Sequence, residues 1–241
     1  MIVAEMHDAV SLGLDKSSNL PLPSFLPEEI DYWLNEAQIQ IIKQKAFGNN
    51  FRKEGFEDSV KRIEDLATLV TIPEGTYANP PLYPHPFYPN VQYIEKGDIG
   101  NNFHFPQLAF EYMYYVDSVV SVTTDTKSFQ LGTRLANHGS IRNLIETEFN
   151  KPVIRTPFVY FYEDKIGYIH DPDHFISSVN VTCIRKPKEM VYSNPSQKQT
   201  IVCELPEHVH PEIVASAINM ILENIESPRQ ETNIQQLTLK E

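Results

Sequence analysis

"ELPEHVHPEIVASAINMILENIESPRQET", residues Glu204 to Thr232, decides how this 241-residue chain is put together. Pro211 suits the first turn of a helix, where the N–H it lacks would have no intrahelical partner. Val214, Ala217, Ile218, Ile221, Leu222 and Ile225 then fall at i, +3, +4, +7, +8 and +11, a full-width apolar face. Ile213 and Met220 extend that face on one flank, so the predicted helix meets more than one neighbour. It stops near Glu226, because Pro228 restricts the residue before it and supplies no donor. Residues 227–241, "SPRQETNIQQLTLKE", carry no apolar face that would fold by itself.

A helix of this kind needs partners, and the first seventy residues offer them. In "VAEMHDAVSLGL", Val3, Met6, Val10 and Leu14 recur three or four apart. In "LPEEIDYWLNEAQIQIIKQKAFGNN", Pro27 stands at the first helical position. Glu28 and Glu29 lie in the first turn, Lys43 and Lys45 near the end, and Gly48 at the stop. Ile30, Trp33, Leu34, Ala37 and Ile41 form its stripe, widened by Ile42. A third helix is predicted over "GFEDSVKRIEDLATLV", with Phe56, Val60, Ile63, Ala67 and Val70 facing inward.

The pattern then changes. "PEGTYANPPLYPHPFYP" holds six prolines between Pro73 and Pro89, too many for a helix or a central strand. An extended arm is expected there, with Tyr77, Tyr83, Phe87 and Tyr88 seeking an apolar surface on this fold, on a neighbouring subunit, or in a partner's groove. Strands are predicted in "VQYIEK", "LAFEYMYYVDSVVSVTTD", "FVYFYEDKIGYIH" (a hairpin), "SSVNVTCIRKP" and "QTIVCEL". One short helix is predicted in "NHGSIRNLIETEFNKP". The expected fold class is α+β: an α-helical bundle of three N-terminal helices plus a C-terminal helix, with a long β-rich insertion. The expected divisions are 1–72 for the first part of the bundle and 73–204 for the Pro-rich arm and β-rich subdomain. The closing helix takes 205–226 and the extended tail 227–241.

Composition narrows the function. The 32 acidic and 20 basic residues give a net charge of −12, which argues against wrapping nucleic acid by neutralising phosphates. Only nine glycines are present, and no phosphate-cradling loop, dinucleotide fingerprint or nucleophile elbow occurs. Cys183 and Cys203 lack metal-type spacing and read as buried reduced thiols, near each other if their predicted strands pair. "MIVAEMHDAV" lacks the apolar region of a signal peptide and no run approaches membrane-spanning length, so a protein made in a cytoplasm is expected.

Two histidine clusters remain. "HDPDHF" places His170, Asp171, Asp173 and His174 within five residues, which would suit a divalent cation but also an ordinary turn fixed by Pro172. "HVH", His208 and His210, offers either a metal pair or a polar helix start. Neither pattern is specific, so no catalytic, cofactor-binding or metal residue is assigned. The interface residues expected are Tyr83, Phe87 and Tyr88 in the arm, with Pro228 and Arg229 in the tail.

Five stretches together resemble a known family: "EMHDAVSLGLDKSSN", "FLPEEIDYWLNEAQIQIIKQKAFG", "GFEDSVKRIEDLATLV", "ANHGSIRNLIETEFNKPVIRTP" and "VHPEIVASAINMILENIESPRQET". The chain is similar to head-to-tail connector (adaptor) ring proteins of crAss-like and related short-tailed bacteriophages. The resemblance implies a helical bundle with inserted β structure and a ring of about twelve copies under the portal. It implies a DNA channel extended toward the tail, a place at the head–tail junction of the virion, and no catalysis. Its partners would be the portal protein, other connector or tail proteins and further copies of itself, with DNA passing through without sequence-specific binding. The long β-rich insertion departs from minimal adaptors. Two other readings make different predictions. A metal-dependent hydrolase using His170, Asp173 and His174 would carry stoichiometric metal. A virion binding module would hold a receptor or glycan on its aromatic-rich β subdomain.

Overall fold

In the computed structural model, α2 (Pro27–Phe47) forms where its end signals place it. The Glu29 carboxylate accepts a hydrogen bond from the Leu26 N–H at 2.8 Å, satisfying one donor that the helix itself leaves open. Gly48 closes the helix at φ 68°, and its N–H bonds the Gln44 carbonyl at 3.1 Å. That left-handed conformation suits a residue without a β-carbon. The structure describes residues 1–17, 25–48, 55–56, 59–71, 81–99, 110–123, 128–146, 157–171, 175–192 and 202–225.

The chain divides into two compact units, Met1–Leu69 with Pro187–Glu241, and Val70–Lys186. The first contains α1 (Val3–Ser17), α2, α3 (Val60–Leu66) and α6 (His210–Asn224). Val3, Met6, Val10 and Leu14 of α1 are buried, as are Ile30, Leu34, Ala37, Ile41 and Ile42 of α2. Ile213, Val214, Ala217, Ile221 and Leu222 of α6 are buried too, and α6 packs on both α1 and α2. Gly13 permits the close approach of α1: a β-carbon there would overlap the Ile218 side chain.

The unit boundaries lie at Leu69/Val70 and Lys186/Pro187, whereas 72/73 and 204/205 are expected from the sequence. The second difference has a visible cause. The Asn35 side chain donates to the Met190 carbonyl at 2.9 Å and accepts from the Met190 N–H at 2.8 Å. Asp31 accepts the Tyr192 N–H at 2.9 Å, and His7 stacks on the Tyr192 ring at 4.7 Å. Two side chains one turn apart on α2 thus hold an extended segment with Met190 fully buried.

Helix α3 overturns its predicted face. Val60 is 72% exposed and Ile63 43%, while Arg62, Asp65 and Leu66 point inward. Lys45 binds Asp65 at 2.7 Å and Glu212 at 2.7 Å, and His208 donates to Asp65 at 2.6 Å. A carboxylate held by a lysine and a histidine fixes the rotation of this short helix, and the apolar stripe turns outward. On α2, Lys45 and Gln38 are buried outside the expected stripe, while Trp33 within it is only half-buried.

Among its described residues the second unit contains two sheets and two short α-helices, α4 (Lys96–Ile99) and α5 (Ile141–Glu146). One sheet has the order β1-β9-β4-β5, from Val70–Thr71, Phe175–Arg185, Tyr112–Thr123 and Ser128–Gly132. The other has the order β2-β3-β8-β7-β6, from Tyr83–Pro84, Val91–Glu95, Lys165–Ile169, Phe158–Tyr162 and Arg134–Leu135. All neighbours are antiparallel except β6 and β7. Val120, Val122, Ile176, Val179 and Val181 of the first sheet and Ile94, Val159, Ile166 and Tyr168 of the second share one buried cluster. At the crossing between sheets, Thr133 is fixed by Ser118: its N–H bonds the Ser118 carbonyl at 3.2 Å, and the two hydroxyls meet at 2.8 Å. The protein is a mixed α+β fold. The predicted strand in "QTIVCEL" does not form over 202–205, and Cys203 lies in the helical unit while Cys183 lies in β9; both are free and buried.

Candidate interaction surface

The outer face of the five-stranded sheet carries a row of tyrosines set by strand register. Tyr83, Tyr93, Gly167 and Tyr160 stand opposite one another across β2, β3, β8 and β7. Directly opposed residues share a face, so the three rings lie on one side. The absent side chain at Gly167 makes room for the Tyr160 ring, which a β-carbon would strike. Tyr160 stacks on Tyr162 at 5.2 Å, and Tyr93 meets Tyr83 at 5.4 Å and Tyr162 at 6.4 Å. Lys165 Nζ lies 4.5 Å from the centre of the Tyr93 ring, a cation–π contact. At one end of this face, Ile141, Leu144 and Ile145 of α5 cover Val91, Ala136, Tyr160 and Ile169. At the other end Tyr83, Tyr93 and Tyr162 stay partly open to solvent.

The predicted arm is partly strand. Tyr83–Pro84 is an edge strand, where the missing proline N–H removes no central ladder bond. Residues 85–90 turn tightly back into β3. The His85 N–H bonds the Val91 carbonyl at 2.9 Å, the Val91 N–H bonds the Tyr88 carbonyl at 3.1 Å, and the Phe87 N–H bonds His85 Nδ1 at 3.2 Å. The His85 ring lies 5.0 Å from Tyr88. Three prolines and these bonds present Phe87 to solvent at 83% exposure, with Tyr88 beside it. Tyr83, Phe87 and Tyr88 are therefore brought into one hairpin, while Pro228 and Arg229 lie outside the described residues.

Burial raises the hydroxyl pKa of Tyr160 and Tyr162, with neighbouring Tyr88 adding to the first and Tyr160 to the second. Both stay protonated at neutral pH and can donate. Asp98 accepts from the Tyr83 hydroxyl at 3.2 Å. The face offers stacking area, hydroxyl donors and one cation, groups in which protein contact surfaces are rich.

The histidine clusters do not assemble a centre among the described residues. His170 is buried; its Nδ1 donates to the Asp171 carbonyl at 2.8 Å, and its N–H bonds the Asn90 carbonyl at 3.0 Å. Asp173 and His174 lie outside the described residues. His208 is engaged by Asp65, and His210 Nε2 donates to the Leu205 carbonyl at 2.9 Å, so the two imidazoles serve different partners. No three His, Cys, Asp or Glu side chains converge as a cation site among the described residues. No described helix is long and apolar enough to cross a membrane.

The sequence singled out the hairpin rings because they are neighbours along the chain. It missed Tyr93, Tyr160, Tyr162 and Lys165, which reach the same face only through strand pairing. The alternating aromatics of "FVYFY" were the available signal. Neither a protein-family model nor a curated protein matches this chain.

Proposed function

We propose that the chain is a virion structural protein: a head-to-tail connector ring subunit that docks on the portal and extends the DNA channel. In this reading the helical unit is the bundle of the adaptor class, and the β unit is an insertion carrying contacts to neighbouring rings or tail proteins. The observation that carries it is the division of the chain. Segments on either side of Val70–Lys186 build one helical unit, and a self-contained β unit lies between them in sequence. That division supports the layout implied by the resemblance of the five stretches quoted above.

Two further features support it. The Pro-fixed hairpin presenting Phe87 and Tyr88 suits burial against another protein, where aromatic anchors supply much of the binding energy. The charge of −12 per chain amounts to roughly −144 for about twelve copies. Carboxylates facing a lumen would repel phosphates and let DNA slide. Negative-stain imaging of the protein mixed with the portal of its virion tests the reading. Rings seated on the portal are expected; a protein that stays unbound to portal at all concentrations, or that turns over a substrate with bound metal, overturns it.

A further inference from the structure

We infer that the open edge of β5 is an acceptor strand for residues 233–241 of another copy of this chain. The intermolecular sense of this pairing rests on the ring reading above. Among the described residues the two sheets have four edge strands. Three are two residues long, β1, β2 with Pro84, and β6 with Arg134. Short length, proline and charge are the usual means by which an edge avoids pairing with another chain.

β5 has none of them. Its five residues, Ser128-Phe129-Gln130-Leu131-Gly132, are uncharged and free of proline. Its ladder to β4 runs one-to-one from Ser128 to Gly132, whereas the ladder from β4 to β9 shifts three times. The strand is exposed except at half-buried Leu131. Phe129 gives the sharper sign. It stands opposite Val122 and so faces the sheet's inner side, yet Phe129 is 42% exposed where Val122 is 3%. An inward ring left half in water at a sheet margin is a core position one strand short of cover.

The missing strand needs apolar residues two apart on its inner side and polar ones between. "QLTLK", Gln236 to Lys240, has that pattern. Laid antiparallel, Leu239 falls opposite Phe129, Leu237 opposite Leu131 and Thr238 opposite Gln130. Between Ile225 and Gln236 the chain can span about 35–40 Å. Donor and acceptor are different surfaces, so under the ring reading the contact is heterologous and repeats from copy to copy, whereas a reciprocal exchange would close a dimer.

The test uses the full chain with p-benzoylphenylalanine at position 129. Copies of natural and heavy nitrogen composition are mixed, irradiated and mapped by mass spectrometry. Cross-links from position 129 to residues 234–241, joining light to heavy copies, are expected. No cross-link, cross-links elsewhere, or cross-links only within one copy overturn the inference. Separately, Phe129→Lys is expected to weaken self-association by about tenfold or more, with Phe129→Ile close to wild type and both melting as wild type. Equal association of both variants with wild type overturns it. The two readings fail differently. Portal-bound rings without this cross-link sink the strand pairing alone. The cross-link in closed dimers that ignore the portal sinks the connector reading alone.

Discussion

Asp65 is fully buried and carries the densest set of charged contacts in the helical unit. Burial by itself pushes its carboxyl pKa up. Hydrogen bonds from Lys45 and His208, with their charges, outweigh that and hold it below 3.8. A depressed carboxyl contributes stability in full above its unfolded value, and loses it as pH falls through the lower folded value. Wild type should therefore lose stability in acid below about pH 3.8, whereas Asp65→Asn should be less stable at neutral pH and flatter in that acid range. Urea titrations at stepped pH measure the difference. Lys45→Met, which removes the buried ammonium and leaves the carboxylate chiefly to His208, should cost about 3–5 kcal/mol, and adding Asp65→Leu should restore most of it. A second residue-scale prediction concerns the tyrosine row. Gly167→Ala should cost about 1–3 kcal/mol through collision with the Tyr160 ring. Combining it with Tyr160→Leu should recover part of that loss, and equal losses in single and double variants would contradict the packing.

At the scale of elements, α6 is the part on which the helical unit depends. Leu222 is fully buried in its middle, so Leu222→Ala should cost about 2–5 kcal/mol in chemical denaturation. A loss under about 1 kcal/mol would place that face elsewhere. The elements legible in the sequence were those with long, clean periodicity: α1, α2, α6, the β7–β8 hairpin and the β-branched run of β9. Helix α3 was legible as a helix but not in its rotation. Its apolar period points one way, while the Lys45–Asp65–His208 contacts, made with residues far along the chain, turn it another. The same limit applies to the aromatic face. Phe87 and Tyr88 are adjacent in sequence, but Tyr93, Tyr160 and Lys165 are neighbours only through register, and register depends on non-local pairing. The segment ending in Tyr192 has no local signal of its own, because the Asp31 and Asn35 side chains that capture its backbone lie more than 150 residues away.

For the whole molecule, truncation after Glu226 should leave the thermal melt of the free protein nearly unchanged while weakening ring formation or portal binding. Calorimetry paired with sedimentation separates the two effects. Unchanged portal affinity and unchanged salt dependence would make residues 227–241 passive. The two-unit division also predicts that Val70–Lys186, expressed alone, folds cooperatively, since among the described residues its buried cluster lies wholly within that range. A fragment spectrum without dispersed signals would contradict this. The division has a consequence in time as well. The apolar stripes of α1 and α2 are made early, but α6, which packs on both, follows only after residue 209. At about 5–20 residues per second, synthesis of the intervening stretch takes roughly 8–30 s. For that interval the ribosome carries two greasy helices without their third, while the β unit is already free to fold ahead of them. A chain built this way exposes itself to premature aggregation during translation, and should depend on a chaperone that holds its first fifty residues until α6 emerges.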